Sequence, residues 1–299
     1  MAQLLPKISI VTPSYNQSEF IEETINSILT QNYPNLEYII IDGGSTDGSV
    51  EIIKKYEKYL HFWCSESDAG QYDAINKGFA HSSGEIMAWL NSDDMYCPWA
   101  FKTVASIMSE FPEIEWLTTL NPGLWDCNGF CMGFGSIPGY SREAFLDGCQ
   151  LPKNKNGKGW IQQESTFWRR SLWQKVNNKI CTDFKMAGDF DLWARFFQYT
   201  DLYGIEAPLA GFRVQANQKS QQFEKYFLDA KKSLSNTREV LNWRPNVLRN
   251  IPRKLKLNKI PKVKDLVLSN SGYTCKKVVR KNAELQDAFW QIEESKFYL

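Results

Sequence analysis

Apolar and polar positions in the N-terminal third of the chain follow two alternating periods. Ile8 to Thr12 is a short apolar run closed by Pro13, and Leu36 to Ile41 is another, closed by Asp42-Gly43-Gly44. Continuous apolar runs of this length predict strands buried on both faces, as in a parallel sheet. Between them Phe20, Ile21, Thr24, Ile25, Ile28 and Leu29 fall on one face of a helix, with Ser18 placed to cap it and Glu19, Glu22 and Glu23 suited to its positive end. The unit repeats as a helix over 49–59, a strand near 61–64, a helix over 72–80, a strand over 85–90 and a helix over 98–111. The fold class expected is α/β, with a mostly parallel central sheet flanked by helices. In such a sheet the ligand crevice lies beyond the carboxyl ends of the strands, so chemistry belongs to the residues that follow each strand.

From about Trp116 to Trp160 the periodicity fades into glycines, Pro122, Pro138, Pro152 and the polar run Lys153 to Gly159. That is the pattern of loops and short strands over a crevice. Regular patterning returns over 165–176, in a helix holding Asp189 to Tyr199, and in a strand over 209–214. From about Gln221 the tail reads as mostly helical, broken by Pro245, Pro252 and Pro261.

Composition narrows the class. The 299 residues are 43% hydrophobic and 14% aromatic, enough for a large core, and 35 Lys and Arg against 34 Asp and Glu leave a formal charge of +1. Overall charge therefore calls for no nucleic acid. The start, MAQLLPKISIVTP, lacks a long apolar segment after a basic one, and no later stretch approaches the roughly 18 uninterrupted apolar residues of a membrane span. A cytoplasmic, unsecreted chain is expected. Cys64, Cys97, Cys127, Cys131, Cys149, Cys181 and Cys275 show no CxxC spacing and read as reduced thiols. With His61 and His81 as the only histidines, acid–base and metal chemistry falls to carboxylates.

Three polar loops follow three of the strands: Thr12-Pro13-Ser14-Tyr15-Asn16, Asp42-Gly43-Gly44-Ser45-Thr46-Asp47-Gly48 and Asn91-Ser92-Asp93-Asp94. The glycine-rich turn lets backbone approach a ligand, and Asp42 at a strand end can accept hydrogen bonds from a base or ribose. Neither GxGxxG nor GxxxxGK[ST] occurs, which argues against a dinucleotide oxidoreductase and a P-loop NTPase. Adjacent carboxylates at a strand end raise one another's pKa unless a cation joins them, and Mg²⁺ or Mn²⁺ binds through one or two carboxylates plus phosphate oxygens. Taken alone, Asp93 and Asp94 serve this reading no better than one in which Asp94 caps the helix near Pro98. Beside the two other loops, the metal and phosphate reading is the stronger.

The stretch ISIVTPSYNQSEFIEETINSILTQNYPNLEYIIIDGGSTDGS, followed by ESDAGQYDAINKGFAHSSGEIMAWLNSDD, resembles the N-terminal half of family 2 glycosyltransferases with a GT-A (Rossmann-like) fold. QQESTFWRRSLW and AGDFDLWARFF are similar, more loosely, to acceptor-side motifs of enzymes that build bacterial surface polysaccharides. The resemblance implies a nucleoside-diphosphate sugar donor, a glycan or lipid-linked acceptor and a divalent cation. It implies that Thr12, Pro13 and Tyr15 border the nucleobase, that Asp42 binds its imide edge, and that Ser67, Asp68, Asp73, Asn76 and Lys77 lie along ribose and diphosphate. The imide edge favours uridine; thymidine shares it, and guanosine donors occur in the family. Asp93 matches the last carboxylate of the family's DxD motif. The first position is Asn91, a neutral and weaker ligand, for which Asp94 is placed to compensate, and at Gln215 relatives often carry a ligating histidine. The division expected is a glycosyltransferase domain over 1–220, with a donor half over 1–97 and an acceptor half over 98–220, then a helical, basic extension over 221–299.

Inverting transfer needs a carboxylate to take the acceptor's proton from the face opposite the leaving group. Asp189, in Ala187-Gly188-Asp189-Phe190-Asp191, matches the family's acidic motif; Asp191 is the second choice, and helix capping is the plain structural alternative for Asp189. Glu164 and Arg169 are weaker candidates for acceptor contacts. Trp160, Trp168, Trp173 and Trp193 fit a core better than sugar stacking. The tail carries Arg244, Arg249, Arg253, Lys254, Lys256, Lys259, Lys262 and Lys264 with no acidic residue among them. Interleaved with Val247, Leu248, Ile251, Leu255, Leu257 and Ile260, this suits either the anionic inner face of a membrane or a solvated face on the catalytic domain. Against the enzyme stand a catalytically silent sugar-nucleotide or glycan-binding module, favoured by Asn91, and a nucleotidyltransferase, disfavoured by the Thr12-Pro13-Ser14-Tyr15 loop.

Overall fold

Apolar runs become strands where the period predicts them. Strand β1 (Ile8–Ser14) leads through helix α1 (Ile21–Leu29) to β2 (Leu36–Asp42), α2 (Ser49–Lys55), β3 (Phe62–Ser65), α3 (Gln71–Ala80) and β4 (Ile86–Trp89). There follow β5 (Met95–Tyr96), α4 (Ala100–Glu110), β6 (Trp116–Thr119), β7 (Gly123–Trp125), β8 (Cys131–Phe134) and α5 (Arg142–Leu146). Then come β9 (Phe167–Arg169), α6 (Arg170–Lys175), α7 (Gly188–Phe196), β10 (Tyr203–Ile205), β11 (Ala210–Arg213), α8 (Phe223–Val240), β12 (Tyr273–Asn282) and β13 (Ala288–Phe297). This computed structural model describes residues 5–151, 160–215, 222–246, 268–282 and 288–298, with 249, 255 and 260. The polar run 153–159, the boundary expected near 220 and most of the basic tail over 244–264 lie outside the described residues.

A nine-stranded sheet runs β13-β12-β10-β6-β9-β4-β1-β2-β3, and a four-stranded sheet runs β5-β11-β7-β8. The large sheet is mostly parallel: β9 opposes β4 and β6, β13 opposes β12, and the other pairs run parallel. The chain lays β2 and β3 on one side of β1, then returns to place β4 on the other. The switch between β1 and β4 opens the crevice at their carboxyl ends.

Three local expectations are corrected. Ser18 does not cap α1: the cap position is Phe20, with no side-chain cap bond, and Asp47 engages both the Ser18 hydroxyl and its N–H (2.9 Å to Oδ2). The helix over 49–59 is α2 ending at Lys55, with a separate 3₁₀ turn over 57–59. The tail is helical in α8, but its last segment is the β12–β13 hairpin. β12 meets the otherwise open edge of β10, while Tyr273, Cys275 and Phe297 bury against Ala144.

The core is aromatic at its centre. Trp193 of α7 stacks on Trp89 (5.8 Å between centroids) and Trp116 (5.6 Å) and meets Trp168 edge-on (6.0 Å), and all four are buried. Trp168 and Trp173 are thus core, as the sequence favoured. Among the described residues no helix is long and apolar enough to cross a membrane. Trp193→Ala is expected to cost about 3–5 kcal/mol of unfolding free energy, through lost burial and the cavity left among three indoles, measurable as a lower urea midpoint.

Candidate active site

The β1, β2 and β3 ends are tied into one surface. Asn16 accepts the Thr46 N–H (3.0 Å) and gives its own N–H to Ser45 Oγ (2.8 Å), while Gly43 N–H bonds the Ser14 carbonyl (2.8 Å). Asp42 is fully buried. Its Oδ2 accepts from Gly44 N–H (3.1 Å), Ser45 N–H (2.8 Å) and Ser65 Oγ (2.7 Å), and Oδ1 accepts Ser45 Oγ (2.5 Å). Asp42 therefore shapes the loop, with acceptor capacity left chiefly on Oδ1. Gly43 is where three loops meet: a Cβ there would stand 2.8 Å from Asp68 Oδ2 and 3.3 Å from the Tyr15 ring, so a larger residue would displace the Asp68 carboxylate. Tyr15 stands at the lip, 62% exposed, whereas Thr12 is buried and accepts Tyr38 Oη (3.1 Å). Pro13 lies in β1 beside it.

Along the adjoining wall Ser67 is exposed, and Asp68 Oδ1 holds the Gly70 N–H (2.7 Å) at the start of α3. Asp73 accepts the Ala69 N–H (3.1 Å), the main cause of its lowered pKa, and pairs with Lys77 (3.4 Å), which also reaches Glu66 (3.3 Å). Asn76 is placed differently from the ribose position the resemblance implied. Its amide donates to the Ile180 carbonyl (2.9 Å) and accepts the Ile180 N–H (2.8 Å), so both polar ends clamp the irregular run before α7.

Asp93 and Asp94 part company after β4. Asp94 is fully buried, with Oδ1 on the Arg213 N–H (2.8 Å) and Oδ2 on the Asn91 amide (3.1 Å). Burial pushes its pKa well above the carboxylate range, and Asp93 and Glu164 add to the push. Asp94 thus makes a poor metal ligand, contrary to the compensation expected of it, and it does not cap the following helix. Asn91 is turned inward as well: Oδ1 accepts the Gln71 amide (2.6 Å), and Nδ2 also reaches Gln163 Oε1 (3.2 Å). Ser92 is buried between them. Asp93 is half-buried, and its Oδ2 accepts Gln215 Nε2 (2.6 Å). Among the described residues no group of three or more His, Cys, Asp or Glu is set to hold a metal. The donors present fit a hard cation held by Asp93 and completed by phosphate oxygens, with the Gln215 amide, whose carbonyl is a hard oxygen ligand, alongside.

Sequence reasoning passed over the residue that secures this loop. Arg213, at the end of β11, is 1% exposed, and its guanidinium donates to the Asp93 carbonyl (2.6 Å), the Cys127 carbonyl (3.1 Å) and Glu23 Oε2 (2.5 Å) while lying over the Phe20 ring. A charged residue inside an apolar strand, Ala-Gly-Phe-Arg, was the available signal.

Asp189 sits in the first turn of α7 without capping it; the cap position is Ala187. Tyr226 of α8 donates to Asp189 Oδ2 (3.2 Å), and Oδ1 is buried with no hydrogen-bond partner among the described residues. Burial raises this carboxyl to about 6. Gly188 is required beside it, since a Cβ there would stand 2.7 Å from the Tyr72 ring. Asp191, the second choice as base, is spent on structure: Oδ2 pairs with Arg195 (2.9 Å) and Oδ1 accepts Ser233 Oγ (2.9 Å). Glu164 is buried and raised to about 7 by desolvation, with Asp189 and Asp93 both close enough to add to the rise. Arg169 is occupied with Glu85 and the Met108 and Ile114 carbonyls. Trp160 is half-buried with its ring 5.0 Å from Tyr226.

Residues 9–119 match the model of glycosyl transferase family 2. An uncharacterized glycosyltransferase of Mycobacterium tuberculosis is 31% identical over 187 residues, which are 62% of this chain and 66% of that protein. The putative teichuronic acid biosynthesis glycosyltransferase TuaG of Bacillus subtilis is 39% identical over 99 residues, 32% of this chain and 39% of its own. The match thus spans less than two thirds of these relatives. Among solved structures, S. aureus TarS 1–349 in complex with UDP-GlcNAc superposes with a TM-score of 0.56 at 18% identity, covering 72% of this chain and 60% of TarS. The mannosyltransferase PcManGT of Pyrobaculum calidifontis, solved with GDP-Man and Mn²⁺, gives 0.52 at 15% identity, covering 89% and 84%. These likenesses show the GT-A fold expected from the sequence.

The raised Asp189 pKa has a sign that can be measured. Its neutral form is favoured on folding, so its contribution to stability is full below the unfolded value of about 4 and is lost as pH rises through about 6. Asp189→Asn, which mimics the neutral form, is expected to be more stable than the parent at pH 7 and to lose that advantage at pH 4, in denaturant titrations at both pH values.

Proposed function

We propose that this chain, whose residues 9–119 belong to glycosyl transferase family 2, moves a sugar from a nucleoside-diphosphate sugar to a hydroxyl of a glycan or lipid-linked glycan, with inversion, in polysaccharide synthesis. The observation that carries this reading is a set of two carboxylates, Asp93 and Asp189, that both lie close enough to the buried Glu164 to raise its pKa. Asp93 follows β4, beside the loops of β1 and β2, and Asp189, raised to about 6, stands in the first turn of α7; both act on Glu164. The neighbouring carboxylates Asp42, Asp94 and Asp191 are committed to the fold.

Roles follow from placement. Tyr15 offers an exposed ring to the nucleobase, and the Asp42 loop, with Gly43 at its centre, presents backbone and remaining lone pairs to its edge. Ser67, Asp68, Asp73 and Lys77 line the path toward ribose and diphosphate. Uridine is the base the Asp42 loop suits best; TarS has been solved with UDP-GlcNAc and PcManGT with GDP-Man and Mn²⁺, which supports a nucleotide sugar and a divalent cation in general. A cation bound at Asp93 and the diphosphate would neutralise charge on the leaving group. Asp189, ionised above about pH 6, takes the proton of the attacking hydroxyl. The basic residues over 244–264 are proposed to touch the anionic inner face of a membrane, which would keep the chain beside a lipid-linked acceptor. Asn91, turned inward where the family carries a carboxylate, favours the second reading, a silent nucleotide-sugar-binding module.

Calorimetric titration of UDP, GDP and dTDP with and without Mn²⁺ separates the readings. The expected result is one nucleotide bound in the micromolar range or tighter, dependent on metal and abolished by Asp93→Ala. Asp189→Asn is expected to keep that binding while transfer falls roughly hundredfold to ten-thousandfold, and the parent's kcat/KM is expected to decline as pH drops through about 6. Binding without transfer to any glycan acceptor would select the silent module; no binding at all would overturn both.

A further inference from the structure

The matched family segment ends at residue 119, and it says nothing of α8. Three polar side chains on one face of α8, spaced by three and four residues, each engage the run from Met186 to Asp191. Tyr226 Oη donates to Asp189 Oδ2 (3.2 Å), Asp229 Oδ2 accepts the Met186 N–H (3.0 Å), and Ser233 Oγ donates to Asp191 Oδ1 (2.9 Å). From the opposite side α3 holds the same run, with Tyr72 Oη donating to the Met186 carbonyl (3.0 Å) and its ring seated on Gly188. The Trp160 ring, 5.0 Å from that of Tyr226, packs the phenol in place.

We propose that α8 is a working part of the acceptor site and that Tyr226 is a positioning residue, whose hydroxyl occupies Asp189 Oδ2 and so leaves Oδ1 as the oxygen that receives the acceptor's proton. The proposal rests on the transferase reading above. Oδ1 is buried and without a donor among the described residues, a cost that an incoming hydroxyl removes by donating to it. In the step itself the acceptor O–H proton passes to Oδ1, the acceptor oxygen bonds the anomeric carbon, and the bond from that carbon to the diphosphate oxygen breaks, its electron pair leaving with the nucleoside diphosphate. The titratable groups facing Asp189 are Tyr72 from α3, Tyr226 from α8 and Glu164 from the turn over 163–165, with Asp229 next to Tyr72. With the Tyr72 proton given to the Met186 carbonyl, Tyr226 is the side-chain donor that favours the ionised form of Asp189, so losing the Tyr226 hydroxyl raises the pH at which Asp189 ionises.

Tyr226→Phe tests this with two readouts. In pH–rate profiles the acid limb is expected to move up by about half a pH unit or more, with kcat lowered about tenfold and donor KM within about twofold. Independently of turnover, the stability gap between the parent and Asp189→Asn, followed from pH 4 to 8, is expected to shift to higher pH when both carry Tyr226→Phe. Ser233→Ala cuts the neighbouring tie without touching Asp189 and is expected to lower stability while leaving the acid limb in place. A Tyr226→Phe chain that loses stability but keeps both the limb and the gap where they were makes α8 a scaffold only and overturns the proposal. A parent that binds no nucleotide overturns the transferase reading instead, whatever Tyr226→Phe does.

Discussion

A guanidinium shut away from water has to find its partners inside the protein, and the arrangement around Arg213 follows from that requirement. Its side chain is 1% exposed and reaches the carbonyls of Asp93 and Cys127 and the carboxylate of Glu23, while its backbone N–H holds Asp94. One residue thereby joins the small sheet, through β11, to the loop after β4, the loop after β7 and the first turn of α1. With Glu23 half-exposed, that ion pair is screened, and the two carbonyls and Asp94 do more to hold the loop. The result is a rigid seat for Asp93 at the mouth of the crevice.

Around this seat the protein sorts its carboxylates by environment. Asp42, Asp94 and Asp191 each have both oxygens met by donors from the chain, so their charge or their shared proton is tied to the fold. Asp93 is tied through Oδ2 to Gln215, and Asp189 keeps one oxygen beyond its tie to Tyr226. Desolvation then separates them further, raising Asp189 to about 6 and Glu164 to about 7. A base for a hydroxyl acceptor gains from a pKa near the working pH, because it is then both ionised and basic enough to take a proton.

Much of this was legible before any coordinates. The apolar runs at β1, β2 and β4 and the facing positions Ile21, Thr24, Ile25 and Ile28 of α1 follow from period alone, and polar loops after strands of a parallel sheet must face the same crevice. The errors lie where a distant partner outbid a local one. Ser18 would cap α1, but Asp47 across the loop engages its hydroxyl as well as its N–H. Asn76 looked like a ribose ligand, but the backbone of Ile180, 104 residues away, uses both ends of its amide. The end of the tail looked helical, but the open edge of β10 draws β12 into the sheet.

The sequence by itself determined the strand–helix alternation, the placing of Thr12, Asp42 and Asp93 at strand ends, and the family likeness over the N-terminal third, because periodicity and turn chemistry are local properties written in neighbouring residues. Only the tertiary structure decided which carboxylates stay available. Asp93 and Asp94 are adjacent in the chain and equivalent in chemistry, and they differ because Gln215 meets one across 122 residues and the Arg213 N–H meets the other across 119. Burial and hydrogen-bond saturation depend on what the fold brings alongside, so the same Asp-Asp pair yields one half-buried carboxylate and one buried strut.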